Sequence, residues 1–262
     1  MNNEDYILKV NDLKIYFKSD QGDIKAVDGI SFNIKKNEVV ALVGESGSGK
    51  SISALSITKI TPKEALFNEG EIFFNGINLL KLNEKDLSKI RGNKIAYIFQ
   101  EPMISFNPVF TVGKQIQEVI KLHKKNIRNS SFEVQKLLKK VHLPNRLKDS
   151  YPHEMSGGQL QRCMIAMALA SSPELLIADE PTTALDVTIQ YEILILLKEL
   201  SRTENLSILL ITHNFGVVSE LAQRVNVMKL GKIVEYGSKS DIINNPKHEY
   251  TKRLISAVPR LK

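Results

Sequence analysis

The 262-residue sequence predicts an α/β fold with a mostly parallel sheet, an antiparallel β subdomain near its N-terminal end and an inserted helical lobe. Three observations carry that expectation. The runs "EVVALVG" (38–44), "IAYIFQ" (95–100), "ELLIADE" (174–180) and "SILLITH" (207–213) have the length and apolar content of buried strands, and helical patterns lie among them. Before them, Ile7, Leu8, Val10, Leu13, Ile15 and Phe17 lie close to the alternation of a half-buried strand. Between Thr111 and about Leu147 the pattern is helical, with no buried β run.

The elements follow in order. "AVDGISFNIKK" (26–36) continues the β pattern, and "EVVALVG" is a buried strand that ends in a glycine-rich loop. "SISALSITKI" (51–60) reads as a helix, and "GEIFFNGINLL" (70–80) as a hairpin turning at Asn75-Gly76. "TVGKQIQEVIKLH" (111–123) and "SFEVQKLLKKVHL" (131–143) are amphipathic helices. "DVTIQYEILILLKELSRTEN" (186–205) predicts a long helix, "RVNVMKLGKIVEYG" (224–237) a hairpin, and "NNPKHEYTKRLISAVP" (244–259) a terminal helical piece. Residues 1–262 read as one domain. Its core and antiparallel subdomain come from 1–100 and 151–240, its helical lobe from 101–150 continuing to about 172, and its C-terminal helical segment from 241–262.

Composition narrows the class. At 42% hydrophobic the chain can bury a sizeable core, yet no apolar run reaches the roughly 18 residues of a membrane span. "MNNEDYILKV" lacks the basic and apolar regions of a signal peptide, and the single cysteine, Cys163, excludes an internal disulfide or an all-cysteine metal site. The expected compartment is the cytosol. The net charge of +7 permits an anionic partner, but lysine dominates it, without the arginine forks and aromatic platforms of nucleic-acid binders. No nucleic-acid partner is expected.

Chemistry concentrates at strand ends. "GESGSGKS" (44–51) fits G-x-x-x-x-G-K-[ST] between a strand and a helix. Its residues Gly44, Glu45, Ser46, Gly47, Ser48 and Gly49 would curl backbone N–H groups around phosphate oxygens. Lys50 would reach the outer phosphates, and the Ser51 hydroxyl would ligate Mg²⁺. "LLIADE" ends a buried strand in two acids, which repel one another unless a metal and a reacting water use them. Asp179 would hold the Mg²⁺ through water, and Glu180 would polarise the attacking water. His213 and Gln100 end two further apolar strands, at the carboxyl edge where α/β sheets bind ligands. A second cradle stands in "YPHEMSGGQLQRCMIAMALA" (151–170): Ser156 caps a helix that opens with Gly157 and Gly158, a start suited to an anion.

This combination resembles the nucleotide-binding subunit of ABC transporters, over nearly the whole chain. "MSGGQ" (155–159) resembles that family's signature motif, with Met155 where leucine is commoner. "TALD" (183–186) resembles the D-loop, and Gln100 and His213 match the Q-loop and the switch histidine. The resemblance implies an ATPase cassette using ATP and Mg²⁺, in which two subunits face each other head to tail. Ser156, Gly157 and Gly158, with Gln159 beside them, would then hold the γ-phosphate of the ATP bound on the partner's phosphate loop. Asp186 would belong to the same nucleotide site, Gln100 would reach the Mg²⁺, and His213 would share catalysis with Glu180 and Lys50. Two cradles are needed because each site is half of two proteins. The resemblance also implies an aromatic over adenine, Phe17 by spacing or Tyr16.

"GESGSGKS", "QEPMISFNP" (100–108) and "HEYTKRLISAVP" (248–259) together resemble the peptide and nickel uptake branch. Members often read His-Pro-Tyr where this chain has His248-Glu249-Tyr250, and usually carry Asp where it has Asn214. Many have a longer C-terminal extension with cluster-binding cysteines. None is present here, so the short form without an iron–sulfur cluster is expected. The resemblance implies a peripheral subunit at the cytoplasmic face of the cell membrane. It would power import of an oligopeptide, dipeptide, nickel or metal–chelator complex with two membrane permease subunits, a second similar ATPase subunit (a hetero-pair, with a homodimer as alternative) and an extracytoplasmic solute-binding protein. The rival reading is a soluble ABC ATPase acting on nucleic acid or the ribosome. One cassette, no heptad run and one cysteine weigh against it.

Overall fold

The computed structural model describes residues 6–20, 22–124, 127–183 and 185–257. Ala184 within "TALD" and residues 258–262, with Pro259 among them, lie outside the described residues, as do residues 1–5. In chain order, β1 (Tyr6–Phe17) and β2 (Ile24–Lys35) form a long hairpin, and β3 (Val39–Val43) leads through the glycine-rich loop into α1 (Lys50–Ser56). β4 (Ala65–Phe74) turns at Asn75-Gly76 into β5 (Ile77–Asn78). Both turn residues have positive φ, 47° and 80°, as a two-residue hairpin turn requires. After α2 (Glu84–Leu87) and β6 (Ile95–Ile98) the chain enters its helical part: α3 (Pro102–Ser105), α4 (Val112–His123), α5 (Ser130–Lys140) and α6 (Gly157–Ala168). It returns through β7 (Leu175–Asp179), α7 (Val187–Thr203), β8 (Ser207–Thr212), α8 (Phe215–Leu221), β9 (Arg224–Lys229) and β10 (Lys232–Ser238), and closes with α9 (Lys239–Asn244) and α10 (Glu249–Ser256).

Two sheets result. The first has the order β2-β1-β4-β5 and is antiparallel, and the second runs β10-β9-β3-β8-β7-β6. Its five strands from β9 to β6 are parallel, while β10 folds back antiparallel on β9. All five residues of β3 are buried, and they alternate between two cores. Val39, Ala41 and Val43 join the core shared with the helices, whereas Val40 and Leu42 join the core beneath the antiparallel sheet, with Leu8, Leu13 and Ile30. A strand covered on both faces reads as a continuous apolar run, which is why "EVVALVG" is legible as buried.

The local differences from the sequence reading have physical causes. α1 stops at Ser56, short of Ile60, and Lys59 just beyond has a left-handed φ of 53°. β4 begins at Ala65, five residues before the expected hairpin, because Ala65, Leu66 and Phe67 pair with Phe17, Tyr16 and Ile15 of β1. Gly70 has a φ of 106°, and a Cβ there would stand 2.6 Å from the Leu13 Cα. The helices α2, α3, α8 and α9 span too few residues for a 3.6-residue period to be read. Among the described residues no helix is long and apolar enough to cross a membrane.

Cys163 lies fully buried in α6, and burial pushes its thiol up to about 12. A thiolate is the reactive form. The native chain is therefore expected to leave Cys163 unmodified by an aromatic disulfide reagent at pH 7.5, and to titrate one thiol in denaturant. Rapid native labelling would contradict the packing of α6.

Candidate functional site

Parallel strands place their carboxyl ends at one edge, so the residues that follow β3, β6, β7 and β8 meet there. Those residues are the phosphate loop, Gln100, the Asp179-Glu180 pair and His213. A cavity of about 850 Å³ opens at this edge. Glu45, Ser46, Gly47, Gly49, Lys50 and Ser51 line it together with Gln100, Glu180, Thr183, His213 and Asn214. Gly44 and Ser48 are buried beneath the loop.

The loop's glycines are set by contact. A Cβ on Gly44 would stand 2.1 Å from the Met228 carbonyl oxygen, and one on Gly49 2.2 Å from that of Ala26. Gly49 also has a φ of 102°, conformational space that side chains rarely enter. Lys50 is 5% exposed and donates to the carbonyls of Gly44 and Glu45, both at 2.8 Å, and to Ser48 Oγ at 3.3 Å. Burial lowers its pKa, against the pull of Glu180, Asp179 and Glu45.

The two acids differ. Burial pushes the Asp179 carboxyl up, with the Ser51 hydroxyl working the other way and the Glu180 charge adding to the rise. Burial pushes Glu180 up too, but bonds from His213 and Thr183 outweigh it, and the carboxyl is held below its usual range. Glu180 Oε1 lies 2.8 Å from His213 Nδ1, while Oε2 accepts from Thr183 Oγ1 at 2.8 Å and Gln100 Nε2 at 3.3 Å. The Glu180 backbone has a φ of 47°, a strained setting fixed by its amide's bond to the Ile211 carbonyl at 2.9 Å. A carboxylate held by three neighbours beside a loop of this pattern has the chemistry to accept a proton from water.

Ser51, Asp179, Glu180 and Gln100 offer an all-oxygen set of hydroxyl, carboxylate and amide oxygens. The buried Asp179 carboxylate gains from a hard cation more than from solvent, so the residues fit Mg²⁺. Asn214, the departure from Asp, lines the cavity and caps α8 by accepting the Gly216 amide at 2.8 Å, a role its amide oxygen fills as well as a carboxylate would.

Several expected residues stand elsewhere. Phe17 is half-buried against the core beneath the antiparallel sheet, Tyr16 donates its hydroxyl to Asp28 Oδ1 at 2.7 Å, and neither lines the cavity. Its apolar lining comes from Ala26, Ile52, Leu254 and Ala257, none of which the sequence reading singled out. Ser156, Gly157, Gly158, Gln159 and Asp186 also stand outside the lining. Ser156 and Gln159 form a reciprocal capping box at the start of α6, and Asp186 Oδ1 caps α7 through the Ile189 amide at 3.0 Å. The two signature glycines differ in kind. A Cβ on Gly158 would stand 2.6 Å from Ile189 Cγ2, whereas Gly157 is exposed and meets only Leu185 Cδ2, at 3.3 Å.

A glycine-rich loop of the phosphate-binding pattern, beside a carboxylate held below its usual pKa range at the carboxyl edge of a parallel sheet, suits a nucleoside-triphosphate hydrolase of the doubly covered α/β class. Comparison with known proteins narrows the class. Residues 27–183 match the family described as ABC transporter, and residues 234–262 match the oligopeptide/dipeptide transporter C-terminal region. This chain belongs to the ABC transporter family, as one of its ATP-hydrolysing subunits. It is 49% identical over 259 residues to a probable peptide ABC transporter ATP-binding protein, y4tR, of Sinorhizobium fredii, covering 97% of this chain and 77% of that one. To the oligopeptide transport ATP-binding protein OppD of Bacillus subtilis it is 46% identical over 261 residues, covering 98% and 73%. The dimeric, post-hydrolysis structure of the ATP-binding cassette MJ0796 bound to ADP and Pi superposes with a TM-score of 0.79 at 28% identity, covering 88% of this chain and 98% of that one.

Gly158→Ala is expected to lower stability by about 1–2 kcal/mol, because Ile189 must shift. That is a fall of several degrees in melting temperature for a chain of this size. Gly157→Ala should melt within about 2 °C of the parent. Equal destabilisation by both, read by differential scanning fluorimetry, would contradict the distinction between the two glycines.

Proposed function

We propose that this chain is the ATPase subunit of a peptide importer, taking oligopeptides or dipeptides as the transported class, and that it works as one half of a head-to-tail pair. The observation that carries the reading is the position of residues 234–257, the described part of the segment 234–262. It resembles a peptide-transporter C-terminal region, and its Tyr250 hydroxyl accepts the Glu45 amide of the phosphate loop at 3.0 Å. Relatives named for oligopeptide and peptide transport support the cargo class.

In this reading Lys50 and the loop amides of Gly44–Ser51 hold the ATP phosphates. Ser51, Asp179 and Gln100 would hold Mg²⁺, whose positive charge would offset charge developing on the phosphates. Glu180 accepts a proton from the attacking water, and His213 Nδ1 holds the carboxylate in place. Ser156, Gly157, Gly158 and Gln159 of one subunit, with Asp186 nearby, serve the nucleotide bound to the other. The exposure of Ser156 and Gly157 supports that role. A paired arrangement is supported by the dimeric cassette with ADP and Pi that this fold resembles.

The membrane partners are two permeases, with a second similar ATPase subunit and an extracytoplasmic binding protein completing the importer. The chain would sit on the cytoplasmic face as a peripheral subunit. Support for a docking face comes from the segment around α3, where Met103, Ile104 and Val109 are 55, 78 and 69% exposed, more apolar surface than a solvated loop needs.

Glu180→Gln is expected to retain ATP binding and to lose turnover by about 10² or more. Near-normal hydrolysis would remove Glu180 from the role of base. Extraction of the tagged chain from native membranes in mild detergent should bring down two polytopic proteins and a second phosphate-loop subunit. Ribosomal partners alone would overturn the transport reading.

A further inference from the structure

Helix α10 has eight residues, too few to persist in water by itself, yet it is anchored from several sides. Glu235, on β10, accepts the Lys247 amide at 2.7 Å and the His248 amide at 3.1 Å through its two carboxylate oxygens. His248 Nδ1 caps the helix by accepting the Tyr250 amide at 3.1 Å. Thr251 is wholly buried, and the Lys229 ammonium stands 5.0 Å from the centroid of the Tyr250 ring. Tyr250 itself is 6% exposed and spends its hydroxyl on the phosphate loop. These anchors converge on the one residue of α10 that bonds the loop. They also fix which face the helix turns to the cavity, so that Leu254 and Ala257 line it.

A nucleotide needs two kinds of surface: amides and cations for its phosphates, and an apolar wall for its base. Polar groups of the strand edge supply the first. For the second, β1 contributes none of its aromatic residues to the lining, while Leu254 of α10 and Ala257 at its C-cap supply two of the four apolar residues there. We infer that α10 is part of the nucleotide site, Tyr250 fixing the entry of the phosphate loop and Leu254, with Ala257, Ala26 and Ile52, receiving the base. Tyr250 is a positioning residue, because it acts through the Glu45 amide. Holding that amide outward sets the direction in which the following amides curl. The inference rests on the nucleotide-site reading above.

The residue between the two anchors is free to vary. Glu249 is the first residue of the helix, where an amide has no intrahelical acceptor to lose and proline fits equally well. His248 and Tyr250 each carry a bond, and Glu249 carries only an exposed pairing with Lys252 at 2.6 Å.

The test titrates the full chain with ATP and, separately, with inorganic tripolyphosphate, each with Mg²⁺. Tyr250→Phe keeps the ring and removes the acceptor. It should weaken both ligands about fivefold, the value of one backbone hydrogen bond, and the change should fall on KM for ATP rather than on kcat. Leu254→Ala should weaken ATP about tenfold and leave tripolyphosphate unchanged, with Leu254→Met restoring ATP binding. Melting temperatures within about 2 °C of the parent separate these effects from unfolding. Unchanged ATP affinity in both variants, or equal losses of ATP and tripolyphosphate in Leu254→Ala, would overturn the inference. Failure of the parent chain to bind either ligand would overturn the nucleotide-site reading itself.

Discussion

The parallel ladder joining β3, β8, β7 and β6 is the constraint on which the rest of the molecule depends. Its register, Val43 beside Thr212 and Asp179 beside Ile211, brings strand ends from four distant stretches of chain to one level. A slip of one residue in the pairing of β3 would turn that strand over, sending Val40 and Leu42 toward the helices and Val39, Ala41 and Val43 toward the antiparallel sheet. Both faces of the sheet are covered, so burial resists such a slip from either side. The reactive geometry at the edge is therefore a product of apolar packing several residues away. The bond between the Glu180 amide and the Ile211 carbonyl continues the ladder one residue past β7, and it holds Glu180 in a backbone conformation that side chains otherwise avoid.

Electrostatics at that edge follow from crowding like and unlike charges where water is partly excluded. Lys50 is nearly inaccessible, and its lowered pKa reflects burial that the carboxylates only partly offset. Asp179 and Glu180 are adjacent in sequence, yet move in opposite directions because their neighbours differ. Glu180 has a histidine and two hydrogen-bond donors, whereas Asp179 has one hydroxyl and a like charge. Two adjacent carboxylates with such different surroundings are suited to different tasks, and the proposed function gives Glu180 the proton and Asp179 the cation.

What was legible in the sequence was what is contiguous. "GESGSGKS" and "LLIADE" each hold their chemistry within a few residues, and the buried strands announce themselves through unbroken apolar runs. Strand order is not written locally, and neither are contacts across the chain. Tyr250 meets Glu45 over a separation of 205 residues, and no period or motif links them. Phe17 is legible as part of the strand pattern, since it ends β1, but strand position does not say which core a side chain will join. The short helices α8 and α9, capped at Asn214 and Ser238, escaped for a third reason: seven and six residues are too few for a 3.6-residue period to be read.

The signature segment shows why a motif alone underdetermines its reason. Gly158 is needed inside the chain, because α6 and α7 approach closely at Ile189. That requirement would keep a glycine there in a protein with no partner. Gly157 makes a milder internal demand, since its surface is exposed and a Cβ there would meet only the end of the Leu185 side chain, at 3.3 Å. The capping box beside it answers the amides of Ser156 and Gln159 by side chains of the same turn. Amides in the first turn of a helix have no intrahelical acceptor, so those of Gly157 and Gly158 must find one from water or from an anion. Packing explains one glycine of the pair. For the other, the proposed pairing supplies a reason, since a phosphate carried by a second subunit would be a ligand whose charge suits that helix end.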